Sequence, residues 1–181
     1  HGFIAEWGME QIVRDTRIAM LYEGTTGIQA LDLLGRKVLM TQGELLKNFT
    51  KIIHTFVKSH SDNEAMNEFT KPLSQLNQQW GEITMEVGMK AMQSQDEVGA
   101  ASVDYLMYSG YVSLAYFWAK MADVAQQKLA SGEGDAAFYQ AKVDTARFYY
   151  ARILPRTLSH VAMIKAGNET LAAIDSEHFA F

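Results

Sequence analysis

The sequence has 181 residues, of which 48% are hydrophobic, and it contains two prolines and no cysteine. This length and composition suit one domain with a hydrophobic core, and the lack of cysteine excludes disulfides, thiolate zinc sites and cysteine nucleophiles. The formal net charge of −5 gives no electrostatic reason to expect nucleic acid or anionic lipid as a partner. No apolar run approaches the roughly 20 residues of a membrane span, and no signal peptide is recognised, so a soluble, cytoplasmic protein is expected.

Apolar residues spaced three and four apart predict helices along the whole chain. A first helix is expected from about residue 6 to 21, and a second from about residue 26 to 60, with Gly24 between them. The predicted apolar face of the second helix comprises Ile28, Leu31, Val38, Leu45, Phe49, Ile52 and Phe56. Ser61, Asp62 and Asn63 then supply side chains that can cap a third helix.

The third helix is expected to end near residue 95, with Pro72 tolerated close to its first turns. Its predicted apolar face comprises Met66, Phe69, Leu73, Leu76, Trp80, Ile83 and Val87. The fourth helix is expected from about residue 97 to 131. Its predicted apolar face comprises Met107, Tyr111, Leu114, Trp118, Met121 and Ala125. We interpret these faces as core.

Gly132 to Asp135 form the clearest loop, and a fifth helix is expected from about residue 136 to 166, bent at Pro155 and stopped by Gly167. Its predicted apolar face comprises Tyr139, Val143, Ala146, Tyr150 and Ile153. No stretch alternates with the period of a strand. The sequence therefore predicts an all-α fold, an up-down helical bundle of about four long helices plus a short N-terminal helix.

Helical bundles can hold carboxylate-bridged metals through Glu-x-x-His pairs. No Glu stands three residues before His54, His60, His160 or His178, although Asp175 precedes His178 at that spacing. We therefore predict no metal site. Glycine-rich phosphate loops and the common hydrolase motifs are also missing from the sequence.

The octapeptide Tyr22-Glu23-Gly24-Thr25-Thr26-Gly27-Ile28-Gln29 places one carboxylate at a bend between two helical patterns. For Glu23 alone, a solvated carboxylate at a helix end is the more common situation. Together with His1-Gly2-Phe3 and Arg14-Asp15-Thr16-Arg17-Ile18, in this order and spacing, the octapeptide resembles the closing motif of the acyl-CoA dehydrogenases. Gly35-Arg36-Lys37 extends the resemblance to the larger branch of that family, which has an extra C-terminal helical domain and includes methylthiopropanoyl-CoA dehydrogenases.

The resemblance implies a role for each residue of the motif. Glu23 would be the catalytic base, Gly24 would line the substrate site, and Thr25, Thr26 and Gly27 would contact FAD, Gly27 through its backbone only. Thr25 or Thr26 is also a candidate N-cap, which is compatible with the cofactor role. Arg14, Asp15 and Arg17 are interpreted as a surface network that supports the first helix.

For the whole protein, the resemblance implies an FAD-dependent oxidoreductase of fatty acid β-oxidation. It would oxidise acyl-CoA to trans-2-enoyl-CoA, pass electrons to an electron-transfer flavoprotein, and form a homo-oligomer. The chain starts at His1 without a methionine, and we expect a C-terminal fragment that alone is inactive and does not bind FAD tightly. Residues 1–60 would end the dehydrogenase C-terminal helical domain, and residues 61–181 would be the extension.

The alternative belongs to another functional class, a non-catalytic helical assembly or scaffold module. Residues 61–181 contain no constellation of catalytic groups, which supports this alternative for the extension. Tyr105, Met107, Tyr108 and Tyr111 on the fourth predicted helix form a candidate packing surface, although internal core is the favoured interpretation for them.

Overall fold

The structure is a computed structural model that describes residues 4–21, 24–174 and 176–179. The α-helices within these residues are α1 (Glu10–Arg17), α2 (Thr26–Leu31), α3 (Glu44–Ser59), α4 (Asn67–Ala91), α5 (Asp96–Ser131), α6 (Ala136–Phe148) and α7 (Thr157–Ala166). Short 3₁₀-helices occupy Ala5–Trp7, Ile18–Met20, Glu64–Met66, Leu154–Arg156 and Ser176–Phe179. Two segments, Asp32–Leu39 and Tyr149–Ile153, are π-helical. The described residues contain no β-strand, and the predicted all-α bundle is confirmed.

Helix α5, which is 36 residues long, lies at the centre of the bundle. Helices α2, α4, α6 and α7 all pack against it. Its buried residues are mostly small or aromatic, and they are Ala101, Ser102, Tyr105, Tyr108, Ser109, Val112, Ala115, Tyr116, Ala119, Ala122 and Ala125. Small residues allow neighbouring helices to approach closely, and the aromatic rings fill the space between them. Within the described part of the chain, no helix combines the length and apolar character that a membrane crossing requires.

The predicted apolar face of the third helix is confirmed in α4 and the 3₁₀-turn before it. Met66, Phe69, Leu73 and Ile83 are fully buried. Trp80 packs edge-on against Tyr108 of α5, with 6.2 Å between the ring centroids. This helix was predictable because its aromatic and branched apolar side chains lie on one face, although Met85 and Met89 are exposed.

The predicted second helix is instead interrupted at residues 40–43. Gln42 and Gly43 both have left-handed backbones, with φ of 53° and 77°. The Gln42 N–H donates to the Leu39 carbonyl at 2.9 Å, and the Gly43 N–H donates to the Val38 carbonyl at 2.8 Å. This pair of bonds is a Schellman motif, which ends a helix. Gly43 was the sequence signal for this break, while a non-glycine residue such as Gln42 rarely adopts a left-handed backbone.

The predicted apolar face of that second helix is wrong in part, because Val38 is buried and Phe49 and Phe56 pack against the core as predicted, but the other positions are not buried. Ile28, Leu31, Leu45 and Ile52 are exposed. The buried positions are Ala30, Leu34, Val38, Leu46 and Ile53. The π-helical turns and the break at Gln42 rotate the two halves relative to a straight helix, so one continuous three-and-four pattern cannot describe both.

The predicted face of the fourth helix is also wrong in part. Met107, Leu114 and Met121 are exposed, whereas Ala125 is buried. Tyr105 and Tyr108 are fully buried, which confirms the favoured interpretation of them as core residues. Helix α5 is apolar on two faces, and the bundle buries the face that carries Tyr105, Tyr108 and several alanines.

The predicted ends of the later helices are confirmed. The Asn63 side chain accepts a hydrogen bond from the Ala65 N–H at 3.1 Å. Asp135 accepts from the N–H groups of Ala137 and Phe138 at 2.9 and 3.3 Å, which caps α6. Gly167 has φ of 72° directly after α7. The predicted fifth helix is divided near Pro155 into α6, a π-helical turn, a 3₁₀-turn and α7, because proline lacks the N–H that would continue the helix.

Several buried tyrosines connect the helices through their hydroxyl groups. Tyr105 Oη lies 2.7 Å from Thr84 Oγ1, and Thr84 itself donates to the Trp80 carbonyl at 2.6 Å, so the tyrosine is the donor to Thr84. The hydroxyl of Tyr108 donates to the Leu76 carbonyl at 2.8 Å. Burial raises the pKa of Tyr105 to about 12 and also raises the pKa of Tyr108 and Tyr150, because the tyrosinate would lose its hydration.

We expect these tyrosines to make the fold sensitive to alkali. Between the ordinary tyrosine pKa of 10.0 and about 12, the unfolded chain releases the Tyr105 proton while the folded chain retains it, so the free energy of unfolding falls as the pH rises. One such proton contributes at most about 1.4 kcal/mol per pH unit. Urea unfolding, followed by circular dichroism at pH 9 to 12, should show a smaller decrease in the free energy of unfolding for Tyr105→Phe than for the wild type. Equal slopes would contradict the assignment to Tyr105.

Candidate active site

The candidate motif follows α1 in the chain and includes the first residues of α2. Glu23, the predicted base, lies outside the described residues, as do Tyr22 and His1. Gly24 and Thr25 lead into α2, which begins at Thr26. The Gln29 N–H donates to the Thr25 carbonyl at 3.0 Å, which closes the first helical turn.

Thr25 occupies the N-cap position, with φ of −58° and ψ of 151°. The predicted position of Thr25 is confirmed, but its side chain makes no capping hydrogen bond. Thr25 and Thr26 are both exposed. The first N–H groups of a helix have no partner within the helix, so this helix end offers main-chain donors and hydroxyl groups to a bound anion.

Gly24 is in close contact with a side chain of its own motif. A Cβ atom at this position would lie 2.6 Å from Nε2 of Gln29, because the Gln29 side chain folds back over the Gly24 backbone. The flexible end of Gln29 could move aside, so this contact is a local reason for glycine and not an absolute requirement. The sequence did not indicate this contact between the first and last parts of the motif.

Gly27 has the opposite environment. A Cβ atom built at Gly27 would meet no heavy atom within 4 Å, and the residue is exposed. Glycine inside a helix makes the helix less stable than alanine would. No contact within the described residues requires a glycine at position 27. The open space beside the Gly27 backbone is compatible with close approach of a ligand.

The bundle holds α2 in place from one side. Ala30 in α2 and Leu34 and Val38 in the following π-helical segment are buried against the rest of the bundle. The sequence prediction missed this π-helical segment, in which Asp32 pairs with Arg36 and, five residues away, with Lys37 at 2.9 Å. Hydrogen bonds from Arg36 and Lys37 lower the pKa of Asp32 to about 2, so this carboxylate stays ionised. Helix α2 therefore lies at an edge of the bundle, with Thr25 and Thr26 at its N-terminal end exposed.

Helix α1 has the surface network that the sequence predicted. Arg14 pairs with Glu10 at 2.5 Å and donates to Gln11 at 2.7 Å, and Gln11 donates to Asp15 at 2.7 Å. All of the residues of α1 are exposed or nearly so, and none is buried. These polar contacts support the helix locally and do not fix it to the bundle.

The histidines with described contacts form pairs with single aspartates. His60 Nε2 lies 3.1 Å from Asp123, and His160 Nδ1 lies 2.9 Å from Asp104. Among the described residues, no group of three or more His, Asp or Glu side chains is arranged to hold a metal ion. These pairs connect helices of the bundle, and their residues are far from the octapeptide in the sequence.

Comparison with known proteins identifies the relatives of the chain. Residues 49–175 match the model of the family described as acetyl-CoA dehydrogenase C-terminal like. The 3-methylmercaptopropionyl-CoA dehydrogenase of Ruegeria pomeroyi is 34% identical over 174 residues, which cover 95% of this chain and 29% of that protein. FadE5, a broad-specificity linear acyl-CoA dehydrogenase of Mycobacterium tuberculosis, is 30% identical over 186 residues, with 98% of this chain and 30% of that protein covered.

A butyryl-CoA dehydrogenase of Syntrophomonas wolfei is 29% identical over 184 residues, covering 100% of this chain and 30% of that protein. The chain thus spans 29–30% of the length of these relatives. Both the family model and the relatives agree with the resemblance seen in the octapeptide. The chain belongs to the acyl-CoA dehydrogenase family, in the part that the acetyl-CoA dehydrogenase C-terminal-like model describes.

Proposed function

We propose that the protein to which this chain belongs is an FAD-dependent acyl-CoA dehydrogenase that converts acyl-CoA to trans-2-enoyl-CoA. The observation that supports it most is the exposed N-terminal end of α2, where the Thr25 side chain makes no capping hydrogen bond and a Cβ at Gly27 would meet no heavy atom within 4 Å. Gly24 and Thr25 connect this end to Glu23 in the sequence. The named relatives are all acyl-CoA dehydrogenases. The electron acceptor would be an electron-transfer flavoprotein.

Glu23 is proposed as the base that removes the α-proton of the thioester. A carboxylate can perform this step if desolvation by bound substrate raises its pKa toward the operating pH. Gly24, next to the base, would line the acyl-CoA site, where the lack of a side chain leaves room for the substrate. FAD supplies the hydride acceptor for this chemistry when it is bound.

The residues after Glu23 fit a role in holding FAD. Thr25 and Thr26 are exposed hydroxyl groups at a helix end whose main-chain donors lack a side-chain cap. Gly27 leaves its backbone accessible, because no atom lies within 4 Å of the position of a Cβ. Donors of this kind suit the oxygens of a dinucleotide. We also propose that residues 1–60 end the dehydrogenase domain and that residues 61–181 form the extension.

The activity is tested in the full-length protein purified with its flavin. Anaerobic addition of acyl-CoA thioesters from short to long chains should bleach the flavin absorbance with at least one of them, whereas free CoA should not. Addition of an electron-transfer flavoprotein should then restore the oxidised spectrum. If no acyl-CoA bleaches the flavin, the dehydrogenase proposal is wrong.

We expect the 181-residue chain by itself to bind FAD weakly. The motif lies at an edge of the bundle, and the relatives contain more than twice as much additional polypeptide, so most of the cofactor's contacts would come from outside this chain. Titration of FAD with the chain, followed by flavin fluorescence, should show no saturable change at micromolar concentrations. Stoichiometric binding would show that the chain contains a complete flavin site.

Replacing Gly27 by Ala should separate the cofactor role from a structural one. In the 181-residue chain, Gly27→Ala should leave the free energy of unfolding unchanged or raise it by up to about 1 kcal/mol, because alanine is the better helix former and no atom obstructs its Cβ. In the full-length protein, the same change should weaken FAD binding. Gly81→Ala, in α4 and equally free of neighbours, is the matched control and should not affect FAD. Unchanged FAD affinity in Gly27→Ala would contradict the proposed backbone contact.

An assembly role is the second candidate function. It is favoured by one observation, the large apolar side chains that α5 presents to solvent. The two roles are compatible, because the assembly surface and the octapeptide belong to different helices.

A further inference from the structure

The π-helical segment Asp32–Leu39 directly follows α2, the helix whose first residues are proposed to hold FAD. Its wide turn is visible in the hydrogen bonds, because the Met40 N–H donates to the carbonyl of Gly35, five residues earlier, at 2.9 Å. In an α-helix, the acceptor lies four residues earlier. π-Helical turns are rare and occur frequently at functional sites. This segment is therefore a candidate for a role in the adjoining motif.

The buried residues of α2 and of the π-helical segment are spaced by four residues. Ala30 and Leu34 are 0% exposed, and Val38 is 3% exposed. In an α-helix, each step of four residues turns about 40° past a full turn, so Val38 would lie about 80° away from Ala30. The wider turn of a π-helix reduces this rotation and keeps all three side chains against the bundle. The spacing of the buried residues therefore matches the π-helix.

One ion pair of this segment is specific to the π-helical arrangement. Asp32 pairs through Oδ1 with Arg36, four residues away, and through Oδ2 with Lys37, five residues away, whose Nζ lies at 2.9 Å. Residues four apart are neighbours on an α-helix, whereas five residues turn by about 500° and place two side chains about 140° apart. The pair with Arg36 can therefore form in either type of helix, but the pair with Lys37 favours the π-helix.

The π-helical segment influences how α2 is rotated about its own axis. Thr26 and Gly27 precede the buried Ala30 by four and three residues, so all three lie on one side of α2. If the segment became α-helical while Val38 stayed buried, α2 would turn by up to about 80°, which moves a Cα atom by about 3 Å. A misplacement of about 1 Å can reduce the rate of an enzyme by about 10²-fold.

We propose that Lys37 is a positioning residue for FAD binding. It acts through its pair with Asp32, which favours the π-helical segment and thereby the rotation of α2, and it does not contact the cofactor. The inference rests on the proposed contacts of Thr25, Thr26 and Gly27 with FAD. Because a surface ion pair contributes little to global stability, the effect of Lys37 on FAD binding should exceed its effect on unfolding.

Reversal of the charge at Lys37 tests the proposal, with the adjacent Arg36 as the matched control. Lys37→Glu places a like charge beside Asp32 in the π-helix only, whereas Arg36→Glu places it at the spacing of four that both helical forms share. Both side chains are more than half exposed, and both changes alter the net charge equally. Urea unfolding of the two 181-residue variants should therefore give similar free energies.

The decisive measurement is the titration of the full-length protein, freed of its flavin, with FAD. Flavin fluorescence should give a dissociation constant that is at least about tenfold higher for Lys37→Glu than for Arg36→Glu. Adding Asp32→Asn to Lys37→Glu removes the contact between like charges and should recover most of the lost affinity. Lys37→Gln removes the pair without adding a negative charge and should also weaken FAD binding, which keeps the proposal testable if Lys37→Glu does not fold.

Equal FAD affinities in Lys37→Glu and Arg36→Glu would overturn the positioning role, as would no recovery in the double variant or an unchanged affinity in Lys37→Gln. A loss of affinity that follows the loss of stability equally in the variants of Lys37 and Arg36 would also overturn it. Failure of the dehydrogenase proposal is distinguishable, because in that case no acyl-CoA reduces the FAD bound to the wild type.

Discussion

Replacing Glu23 by Gln in the full-length protein is expected to abolish or strongly slow the reduction of bound FAD by acyl-CoA. The amide has nearly the same shape as the carboxylate but cannot accept the α-proton, and loss of a general base typically slows a reaction by about 10² to 10⁴-fold. Stopped-flow absorbance of the flavin after anaerobic mixing measures this rate directly. Binding of acyl-CoA should be retained, because the substrate contacts outside the carboxylate are unchanged.

A second carboxylate near the motif provides the control. Glu10→Gln removes a charge from α1, where Glu10 pairs with Arg14 on the surface. In this variant, acyl-CoA should reduce the bound FAD at the wild-type rate. The Glu23→Gln protein should also lose the rise in rate with pH that titration of a base produces. An unchanged rate in Glu23→Gln would exclude Glu23 as the base, whereas equal losses in both variants would point to a general effect of charge.

Replacing Phe69 by Ala is expected to remove a large part of the stability of the bundle. Phe69 is fully buried in α4, and its ring packs edge-on against Tyr150 with 5.2 Å between the centroids. Truncation of a buried phenylalanine typically costs about 3–5 kcal/mol, because apolar contacts are lost and a cavity remains. This loss is comparable with the roughly 5–15 kcal/mol that stabilise a typical domain.

Urea unfolding of the 181-residue chain, followed by circular dichroism, measures the effect. Phe69→Leu should recover part of the loss, because leucine fills some of the cavity. Leu158→Ala, at an exposed position, should change the free energy of unfolding by no more than about 0.5 kcal/mol. A loss below about 1 kcal/mol for Phe69→Ala would show that the contact between α4 and Tyr150 is not a packed core contact.

The fold could be predicted where local chemistry and packing agree. Helix α4 has its aromatic and branched apolar residues on one face, and Asn63, Asp135 and Gly167 are typical end residues that the structure confirms. Helix α5 could not be oriented from its pattern, because Met107, Leu114 and Met121 repeat as regularly as the buried tyrosines and alanines. The break at Gln42 was missed because glutamine is not a typical helix-ending residue. Only its neighbour Gly43 is of a residue type that commonly ends helices.

The candidate site was predicted from the order of its residue types and not from periodicity. Its recognition depends on residue types in a fixed order, and the family comparison supports that recognition. The environment of each glycine could not be derived in this way. Gly24 lies against the side chain of Gln29 while Gly27 has open space beside it, a difference that depends on how the chain folds back on itself.

The sequence by itself determined the helical class, most of the helix ends and the family, because periodicity, capping side chains and motif order are properties of neighbouring residues. Only the tertiary structure decided which of the two apolar faces of α5 forms the core and which remains on the surface. That choice depends on packing, since the alanines and serines of the buried face allow four helices to approach and its tyrosines fill the space between them, whereas Met107, Leu114 and Met121 on the other face stay exposed.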